Sequence, residues 1–182
     1  CPIMYYAGQE LGERGMDNEG FSGTDGRSTI FDYWAPDTLS RWYKDGELSD
    51  KHLTREEIDL KSFYSRLFNI CTTENAIGKG LFFDLMYVNP DSEQFNAHKE
   101  YAFLRKYNNE MLLIVANFSD KTQQSQVVIP EHAFSYLQIE NRGRVNAVEL
   151  FTGQNVTIDL QPNSPVNVQI PANGAIILKC KA

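Results

Sequence analysis

The chain has 182 residues, with 17 lysines and arginines against 24 aspartates and glutamates, which gives a formal net charge of −7. Apolar residues make up 42% and charged residues 23%, a composition typical of a globular protein with one or two domains and not of a disordered or fibrous one. The acidic balance predicts no nucleic-acid partner and no membrane partner, because nucleic acids and anionic membranes recruit basic surfaces.

The first part of the sequence, residues 1–79, predicts one strand, a long loop and one or two helices. Residues 2–7 form an apolar run with the length of a buried strand. Five glycines follow within residues 12–28, and a loop of this length is more often functional than idle. A short helix is expected at residues 38–45, with Gly46 ending it.

The strongest helix signal covers residues 55–73. Thr54 and Glu57 have the spacing of a capping box, in which each side chain accepts a hydrogen bond from the backbone N–H of the other residue. Apolar residues then recur at helical spacing and form one stripe, at Leu60, Phe63, Tyr64, Leu67, Phe68 and Cys71. Such a stripe predicts burial, so we expect it to pack on the β-rich part of the chain or on a second copy of the protein.

From residue 80 onward the sequence predicts strands and turns only. The candidate strands are residues 81–89, 100–107, 111–117, 124–129, 145–149, 155–160, 166–170 and 175–179. The pair Asn108-Asn109 predicts a tight hairpin between the second and third of these strands. This spacing of strands and turns predicts an antiparallel β-sandwich, and about 100 residues suffice for such a domain to bury its own core.

Acidic residues cluster in and before the glycine-rich loop, at Glu10, Glu13, Asp17, Glu19 and Asp25. Paired carboxylates could perform glycosidase acid–base chemistry, and loop carboxylates could bind calcium. The spacing does not match a calcium-binding loop, so we expect no metal at this cluster. Because Glu10 directly follows the predicted strand, we expect it to be buried and bonded to the backbone rather than catalytic.

Aromatic residues follow the loop in polar surroundings, at Tyr33, Trp34, Trp42 and Tyr43. Flat rings beside carboxylates and amides suit sugars, whose C–H faces stack on rings. The alternative, that the rings pin the loop onto a core, is the more frequent role of such residues and is favoured here. In the strand-rich half, Tyr107 and Phe151 are the candidates for a sugar platform, and a place in the core fits either of them equally well.

In this order, the segments resemble the C-terminal end of an α-amylase-family glycoside hydrolase. Residues 2–12 are similar to the family pattern G-x-P-x-x-Y-Y-G-x-E-x-G of the last barrel strand, with Ala7 as an insertion. Residues 25–34 resemble the loop after that strand. Residues 67–80 resemble the last barrel helix and the start of the family's C-terminal domain, and residues 101–119 resemble strands of that domain.

The resemblance implies a mainly β fold with an α-helical N-terminal segment. Residues 80–182 would form an antiparallel Greek-key β-sandwich, preceded in residues 1–79 by the last βα unit of a truncated (β/α)8 barrel. Because the chain starts at Cys1 without an initiator Met, we expect it to begin inside a longer enzyme. The family's nucleophile, acid–base and transition-state-stabilising carboxylates would all precede residue 1, so no catalytic residue and no metal ligand is assigned.

The resemblance also implies a parent enzyme that hydrolyses or transfers α-glucans with retention, while this part alone is inactive and its sandwich stabilises the barrel. Asp25, Tyr33 and Trp34 would line an outer sugar subsite. The alternative is a non-catalytic carbohydrate-binding module at residues 80–182. No cofactor is expected in this part, and calcium is left open for the parent. We further expect self-association through the exposed helix at residues 55–73, and we favour an extracytoplasmic bacterial location for the parent.

Overall fold

The computed structural model describes residues 4–13, 36–140 and 143–181. The chain divides into two compact units, Cys1–Phe68 and Asn69–Ala182. The division falls within the long helix, earlier in the chain than the expected boundary after residue 79. The end of that helix therefore belongs to the β-rich unit.

The first unit is mostly helical in its described residues. Its elements are a 3₁₀ helix at Gln9–Leu11, α1 at Asp37–Trp42, β1 at Tyr43–Lys44, β2 at Glu47–Leu48, a 3₁₀ helix at Asp50–His52 and the larger part of α2, which spans Arg55–Thr73. The turn residues between β1 and β2, Asp45 and Gly46, have φ angles of 56° and 84°. An Asp-Gly pair with positive φ angles is typical of a two-residue hairpin. The expected helix at residues 38–45 is therefore wrong at its end, because the chain turns into this hairpin after Trp42.

The strand expected at residues 2–7 is not formed by its described residues, since residues 4–7 have no strand structure. A strand needs the N–H and C=O groups of a neighbouring strand as partners. The strands among the described residues of this unit are β1 and β2, and they pair with each other. An apolar run alone is therefore not sufficient to form a strand here.

The bounds expected for α2 and its capping box are confirmed. The Thr54 backbone N–H donates to Glu57 Oε2 at 2.7 Å, and the Glu57 backbone N–H donates to Thr54 Oγ1 at 3.3 Å. Within the single chain the apolar stripe is not buried, because the buried residue of α2 is Ile70 and both Phe63 and Phe68 are exposed. Self-association through this helix stays a prediction.

The second unit continues with α3 and α4 and eight strands in its described residues. These are α3 at Asn75–Lys79, β3 at Leu81–Asp84, β4 at Glu100–Tyr107, β5 at Glu110–Asn117, β6 at Gln123–Val128, α4 at Glu131–Leu137, β7 at Gly143–Glu149, β8 at Asn155–Leu160, β9 at Pro165–Ile170 and β10 at Gly174–Lys181. All eight expected strands are present, although the first is shorter than predicted and gives way to a 3₁₀ helix at Met86–Val88. The expectation that this half has no helix is wrong, because α4 buries Ala133, Phe134 and Leu137 at helical spacing.

The strands form two antiparallel layers. One sheet has the order β3-β4-β5-β10-β7-β8, and β6 pairs with β9 in the second. The chain crosses between the sheets after β5, after α4, after β8 and again after β9, so that β10 lies between β5 and β7. The mainly β fold with antiparallel sheets and a helical N-terminal segment is thereby confirmed.

The core of the sandwich lies between the two sheets. Alternate residues of β9 are buried, as expected for a strand with one face on a core. The inward-facing residues of β5 and β9 are aliphatic or Met and belong to one cluster, namely Met111, Leu113, Val115, Val166, Val168 and Ile170. Burial contributes about 1.5–3 kcal/mol for each such side chain, which makes this cluster the main source of the unit's stability.

Buried polar side chains hold the turns of the sandwich. The Asn117 side-chain amide donates to the carbonyl oxygens of Lys121 at 2.8 Å and Pro171 at 2.9 Å, and its Oδ1 accepts from the Ser119 backbone N–H at 2.9 Å. Asn89 likewise donates to the Leu85 carbonyl at 2.8 Å. These bonds satisfy groups that would otherwise be costly to bury, and they fix where each turn meets the core.

Lys106 is a buried cation on the core-facing side of β4, with 8% of its surface exposed. Its ammonium group donates to the Asn108 carbonyl oxygen. Burial lowers the pKa of Lys106, because the charged form loses its hydration. The neighbouring Cys180 thiol is also buried, which raises its pKa to about 11 and keeps it neutral below that pH.

We predict that Lys106→Met stabilises the chain by about 1 kcal/mol at pH 7, because a side chain of similar length replaces the desolvated charge. At Lys106 the folded protein binds fewer protons than the unfolded chain between the lowered pKa and the ordinary value of 10.5, so the contribution of Lys106 to stability should rise with pH in that window, relative to Lys106→Met. The raised pKa of Cys180 acts in the opposite direction above pH 9 and is common to both proteins. The difference in stability between Lys106→Met and wild type should therefore shrink as the pH rises. Thermal unfolding from pH 7 to 10 measures both effects, with the exposed Lys99→Met as control, and a destabilised Lys106→Met that keeps the wild-type pH slope would contradict the prediction.

Candidate functional site

The outer face of the large sheet holds α3 through four charged side chains, Glu74, Arg105, Glu110 and Lys179, which we call the helix clamp. Arg105 donates from Nε to the Ala76 carbonyl oxygen at 2.9 Å and from a terminal nitrogen to the Ile77 carbonyl oxygen at 2.5 Å. A helix of five residues is too short to be stable alone, and most of its backbone groups lack partners within the helix. The sheet supplies side-chain partners for the backbone groups of Ala76 and Ile77.

The acidic members of the clamp complete the contact. Glu110 Oε1 accepts from the Ala76 backbone N–H at 2.6 Å, and Lys179 Nζ donates to Glu74 Oε2 at 2.5 Å. Lys179 also lies 3.4 Å from Glu110 Oε2. The hydrogen bond to Glu74 raises the pKa of Lys179. Because Glu74 and Glu110 are mostly buried, these charge-assisted bonds are less screened by solvent than a surface pair.

Strand register explains why the clamp residues meet. Arg105 on β4 and Lys179 on β10 are both cross-strand neighbours of Leu112 on β5. Direct cross-strand neighbours share one face of a sheet, and Glu110 shares it because it lies two residues before Leu112. Arg105, Glu110 and Lys179 therefore share one face of the sheet across β4, β5 and β10, and Glu74 contacts them from the residue before α3.

An apolar cluster packs beneath the clamp. It joins the end of α2 and α3 to the sheet, through Ile70, Ala76, Leu112, Ile114 and Ile177. The chain then passes close to the sheet at Gly80, where an added Cβ would lie 2.3 Å from the Ala76 carbonyl oxygen and 2.8 Å from that of Lys106. Only glycine fits this approach without a backbone shift. This explains physically why Gly80 ends the segment 67–80, which resembles the start of the family's C-terminal domain.

Two cavities of the sandwich unit contain the aromatic candidates of the strand-rich half. Tyr107 lines a cavity of about 900 Å³ beside the clamp, together with Glu110, Lys179 and several asparagines. Phe151 lines a second cavity of about 540 Å³. Both rings pack against the apolar cluster beneath the clamp, and Lys79 Nζ lies 5.9 Å from the centroid of the Tyr107 ring. Their contacts are those of supporting core residues.

The predicted sugar-subsite residues Asp25, Tyr33 and Trp34 lie outside the described residues. Of the other two aromatic residues after the loop, Trp42 donates from Nε1 to Asp50 Oδ1 at 3.1 Å, and Tyr43 is exposed. The structure therefore describes the contacts of Trp42 and Tyr43 but not those of the predicted subsite.

The expected burial of Glu10 is wrong. Glu10 is half-buried rather than buried, and Tyr5 donates its hydroxyl to Glu10 Oε2 at 2.6 Å. Burial and this hydrogen bond raise the pKa of Tyr5. The neighbouring Glu13 does have a backbone partner, because its Oε2 accepts from the Leu39 N–H at 2.8 Å and so satisfies a free amide in the first turn of α1.

An ion pair that the sequence did not point to joins α1 and α2. Arg41 binds Glu57 through two hydrogen bonds of 2.9 and 2.6 Å, and it also contacts Asp37 at 3.1 Å. Arg41 lowers the pKa of Glu57 to about 2. Glu57 is thus fully ionised near neutral pH, and it serves both the capping box and this pair.

The part of the chain that the structure describes shows no group of three His, Cys, Asp or Glu side chains arranged to hold a metal ion. It also shows no helix with the length and apolar character needed to cross a bilayer.

No protein-family model and no curated protein matches the chain, whereas solved structures do. The α-amylase from Geobacillus thermoleovorans, complexed with acarbose, is 15% identical over 97% of this chain and 29% of its own, with a TM-score of 0.53. AmyP in complex with maltose is 16% identical over 74% of this chain and 22% of its own, with a TM-score of 0.50. An AmyP variant in complex with maltotriose is 13% identical over 73% of this chain and 23% of its own, with a TM-score of 0.51.

The chain has the fold of part of an α-amylase. At these identities the likeness concerns the fold alone, and this α-amylase-like chain spans less than a third of the length of the structures it matches. The resemblance read from the sequence is confirmed at that level.

We predict that Arg105→Ala destabilises the sandwich unit by about 2 kcal/mol, because two carbonyl groups at α3 lose a charged donor. Urea unfolding followed by far-ultraviolet circular dichroism measures the change. Arg144→Ala removes an exposed arginine from the same sheet and should change the free energy of unfolding by less than about 0.5 kcal/mol. Equal losses in the two variants would show that the clamp contributes nothing specific.

Proposed function

We propose that this chain is the C-terminal part of an α-amylase-type glycoside hydrolase that acts on α-glucans. The observation that carries the proposal is the structural match over 97% of the chain to an α-amylase, which extends over the helical unit as well as the sandwich. The segment order read from the sequence supports it independently. The bound maltose, maltotriose and acarbose of the similar structures favour an α-glucan as the substrate of the parent enzyme.

The chain on its own is proposed to be inactive. Retaining glycosidases need two carboxyl groups about 5–5.5 Å apart, one of them able to donate a proton. Three carboxylates of the helical unit are engaged by other partners: Glu10 binds Tyr5, Glu13 binds the Leu39 amide, and Glu57 binds Arg41. A carboxyl group with a pKa of about 2, such as that of Glu57, cannot act as a general acid near neutral pH.

The sandwich is proposed to stabilise the catalytic barrel rather than to perform chemistry. Its helix clamp fixes α3 and the end of α2, the segment that resembles the last barrel helix, to a rigid sheet. The clamp depends on buried charges and a close approach at Gly80, so it is specific to this segment. The packed state of Tyr107 and Phe151 supports this role over that of a binding module built on those two rings.

We predict that the purified chain releases no reducing sugar from soluble starch, whereas the parent enzyme that contains it does so with retention at the anomeric carbon. A reducing-sugar assay measures turnover, and proton NMR of the first product gives its anomeric form. Turnover by a clean preparation of the chain would overturn its proposed inactivity. A parent enzyme without activity on any α-glucan would overturn the proposed function.

Introducing Arg105→Ala into the parent separates the two roles of the sandwich. A stabilising role predicts a lower temperature of thermal inactivation with unchanged kcat/KM at 25 °C, because the substitution lies outside the catalytic groups. A direct role of the clamp in sugar binding would instead lower kcat/KM on starch at a temperature where the variant is folded.

A further inference from the structure

Among the described strands, β8 lies at one end of the large sheet, with β7 as its neighbour. The two strands are antiparallel, and Asn155 lies opposite Val148. Their ladder continues into the turn before β8, where the Glu149 N–H donates to the Gln154 carbonyl oxygen at 2.9 Å. Hydrogen-bonded pairs alternate with non-bonded pairs in an antiparallel ladder. This one bond therefore determines which residues of β8 face β7 and which face away from it.

The backbone groups of Asn155, Thr157 and Asp159 point away from β7. Gln154 bonds to β7, so the even-numbered residues of β8 do so as well and the odd-numbered ones do not. Within the part of the chain that the structure describes, no group forms a hydrogen bond to the N–H or C=O groups of these three residues. A cavity of about 420 Å³ lies beside Thr157 and Asp159. We call these backbone groups the free edge.

The free edge lacks the protection that edge strands usually have. Proteins protect such strands from pairing with other chains by lysine, proline, a bulge or a covering segment. The edge of β6 has such cover, because the Gln126 N–H donates to the Gln94 carbonyl oxygen at 2.9 Å. β8 contains neither lysine nor proline, and Asp159 is its only charged residue. Its sequence therefore leaves the free edge open to pairing.

The free edge lies away from the segment that the helix clamp holds. The clamp uses β4, β5 and β10, and β7 separates β10 from β8. Two strand spacings of about 4.8 Å place β8 about 10 Å beyond β10. A strand added at β8 extends the sheet in its own plane. It therefore leaves the outer face that carries α3 uncovered.

The free edge is complementary to a second copy of itself. A two-fold axis that passes through Thr157 and is normal to the sheet places Thr157 opposite Thr157, and Asn155 opposite Asp159 of the second copy. Each of these three pairs exchanges two hydrogen bonds, about six in all, so every group of the free edge gains a partner. The faces match as well, because the half-buried Val156 then lies opposite Ile158 of the second copy on the core side.

The charges of this register are complementary too. Asp159 lies opposite Arg144 on β7 and, across the axis, opposite the Asn155 amide of the second copy, which is a hydrogen-bond donor. A register with the axis at Asp159 would instead place two carboxylates opposite each other, which is unfavourable. The axis at Thr157 therefore combines the full set of backbone bonds with the absence of like charges in opposite positions.

We propose that β8 pairs with β8 of a second copy across a two-fold axis at Thr157, so that two six-stranded sheets join into one continuous sheet. A stable interface covers about 800 Å² on each partner, and one short strand covers less, so the dimer is weak and reversible. This interface uses none of the residues of the α2 stripe.

Sedimentation of the full 182-residue chain, from micromolar to submillimolar concentration, measures the pairing. Thr157→Lys and Thr157→Glu each place like charges opposite each other at the axis, and Thr157 is exposed, so both variants should fold. Gln124→Lys is the matched control, because it adds the same charge at an exposed position of β6. Thermal unfolding verifies that every variant is folded.

We expect wild type and Gln124→Lys to dimerise equally, and Thr157→Lys and Thr157→Glu each to dimerise about fivefold more weakly. An equimolar mixture of the two Thr157 variants should recover dimerisation to within a few-fold of wild type, because opposite charges then meet at the axis. A merely destabilising effect of the substitutions would not be reversed by mixing.

A cysteine at the axis tests the register, and it carries the test if the charged variants do not fold. Hydrogen-bonded antiparallel pairs have Cα atoms about 5.5 Å apart, which a disulfide spans. In a background with Cys1→Ser and Cys71→Ser, Thr157→Cys should therefore form a disulfide-linked dimer in a glutathione buffer. Asn155→Cys should not, because four residues along the strand, about 14 Å, separate it from its own copy.

A wild-type chain that stays monomeric at submillimolar concentration would overturn the inference and leave the free edge to a strand of another protein. A dimer that Thr157→Lys leaves unchanged would overturn it in favour of another surface, such as the α2 stripe. Equal cross-linking of Thr157→Cys and Asn155→Cys would overturn it through its register. These measurements involve no sugar, so none of their outcomes affects the proposed function.

Discussion

The backbone groups of α3 are the constraint on which the rest of the β-rich unit depends. A helix of five residues cannot satisfy its own N–H and C=O groups, and Ala76 is fully buried, so water cannot satisfy the groups of that residue. Glu110 accepts the Ala76 N–H, and Arg105 donates to the Ile77 carbonyl and adds a charged donor to the Ala76 carbonyl, which also accepts from the Gly80 N–H at 3.1 Å. Lys179 binds Glu74 beside them. The segment that follows α2 can therefore be held in place only when β4, β5 and β10 pair in this register.

This arrangement separates two parts of the large sheet. The outer face of β4, β5 and β10 holds the helix clamp, whereas the free edge lies at β8, on the far side of β7. The proposed stabilising role and the proposed pairing between copies thus use different sets of residues, and each can be changed without touching the other.

Much of the fold could be predicted from the sequence because its signals are local. Thr54 and Glu57 define the start of α2 through two backbone hydrogen bonds, and Asn108 takes the positive φ of 51° that the hairpin between β4 and β5 requires. The predictions were wrong where the secondary structure depends on contacts with other parts of the chain or on a competing turn. Residues 2–7 read as a strand, but a strand depends on neighbours that the sequence pattern does not supply, and the expected helix at 38–45 ends early because Asp45-Gly46 favours a hairpin turn.

The sites were harder to predict than the fold. The clamp unites residues from three strands with Glu74, which lies between α2 and α3, and only strand register brings Arg105 and Lys179 to either side of Leu112. The free edge of β8 follows from the strand order, because the sequence of a strand does not show whether it has one neighbour or two. The predicted subsite of Asp25, Tyr33 and Trp34 rested instead on the resemblance to the family, and its geometry stays a prediction.

Native-state hydrogen exchange at the amide of Ala76 tests the central claim most directly. Its N–H donates to Glu110 at 2.6 Å in a fully buried residue. If the clamp makes α3 and the sheet one cooperative unit, this amide exchanges with the same free energy of opening as the central amides of β5 and β10. Exchange orders of magnitude faster than in those strands would mean that α3 opens independently, and it would contradict the account.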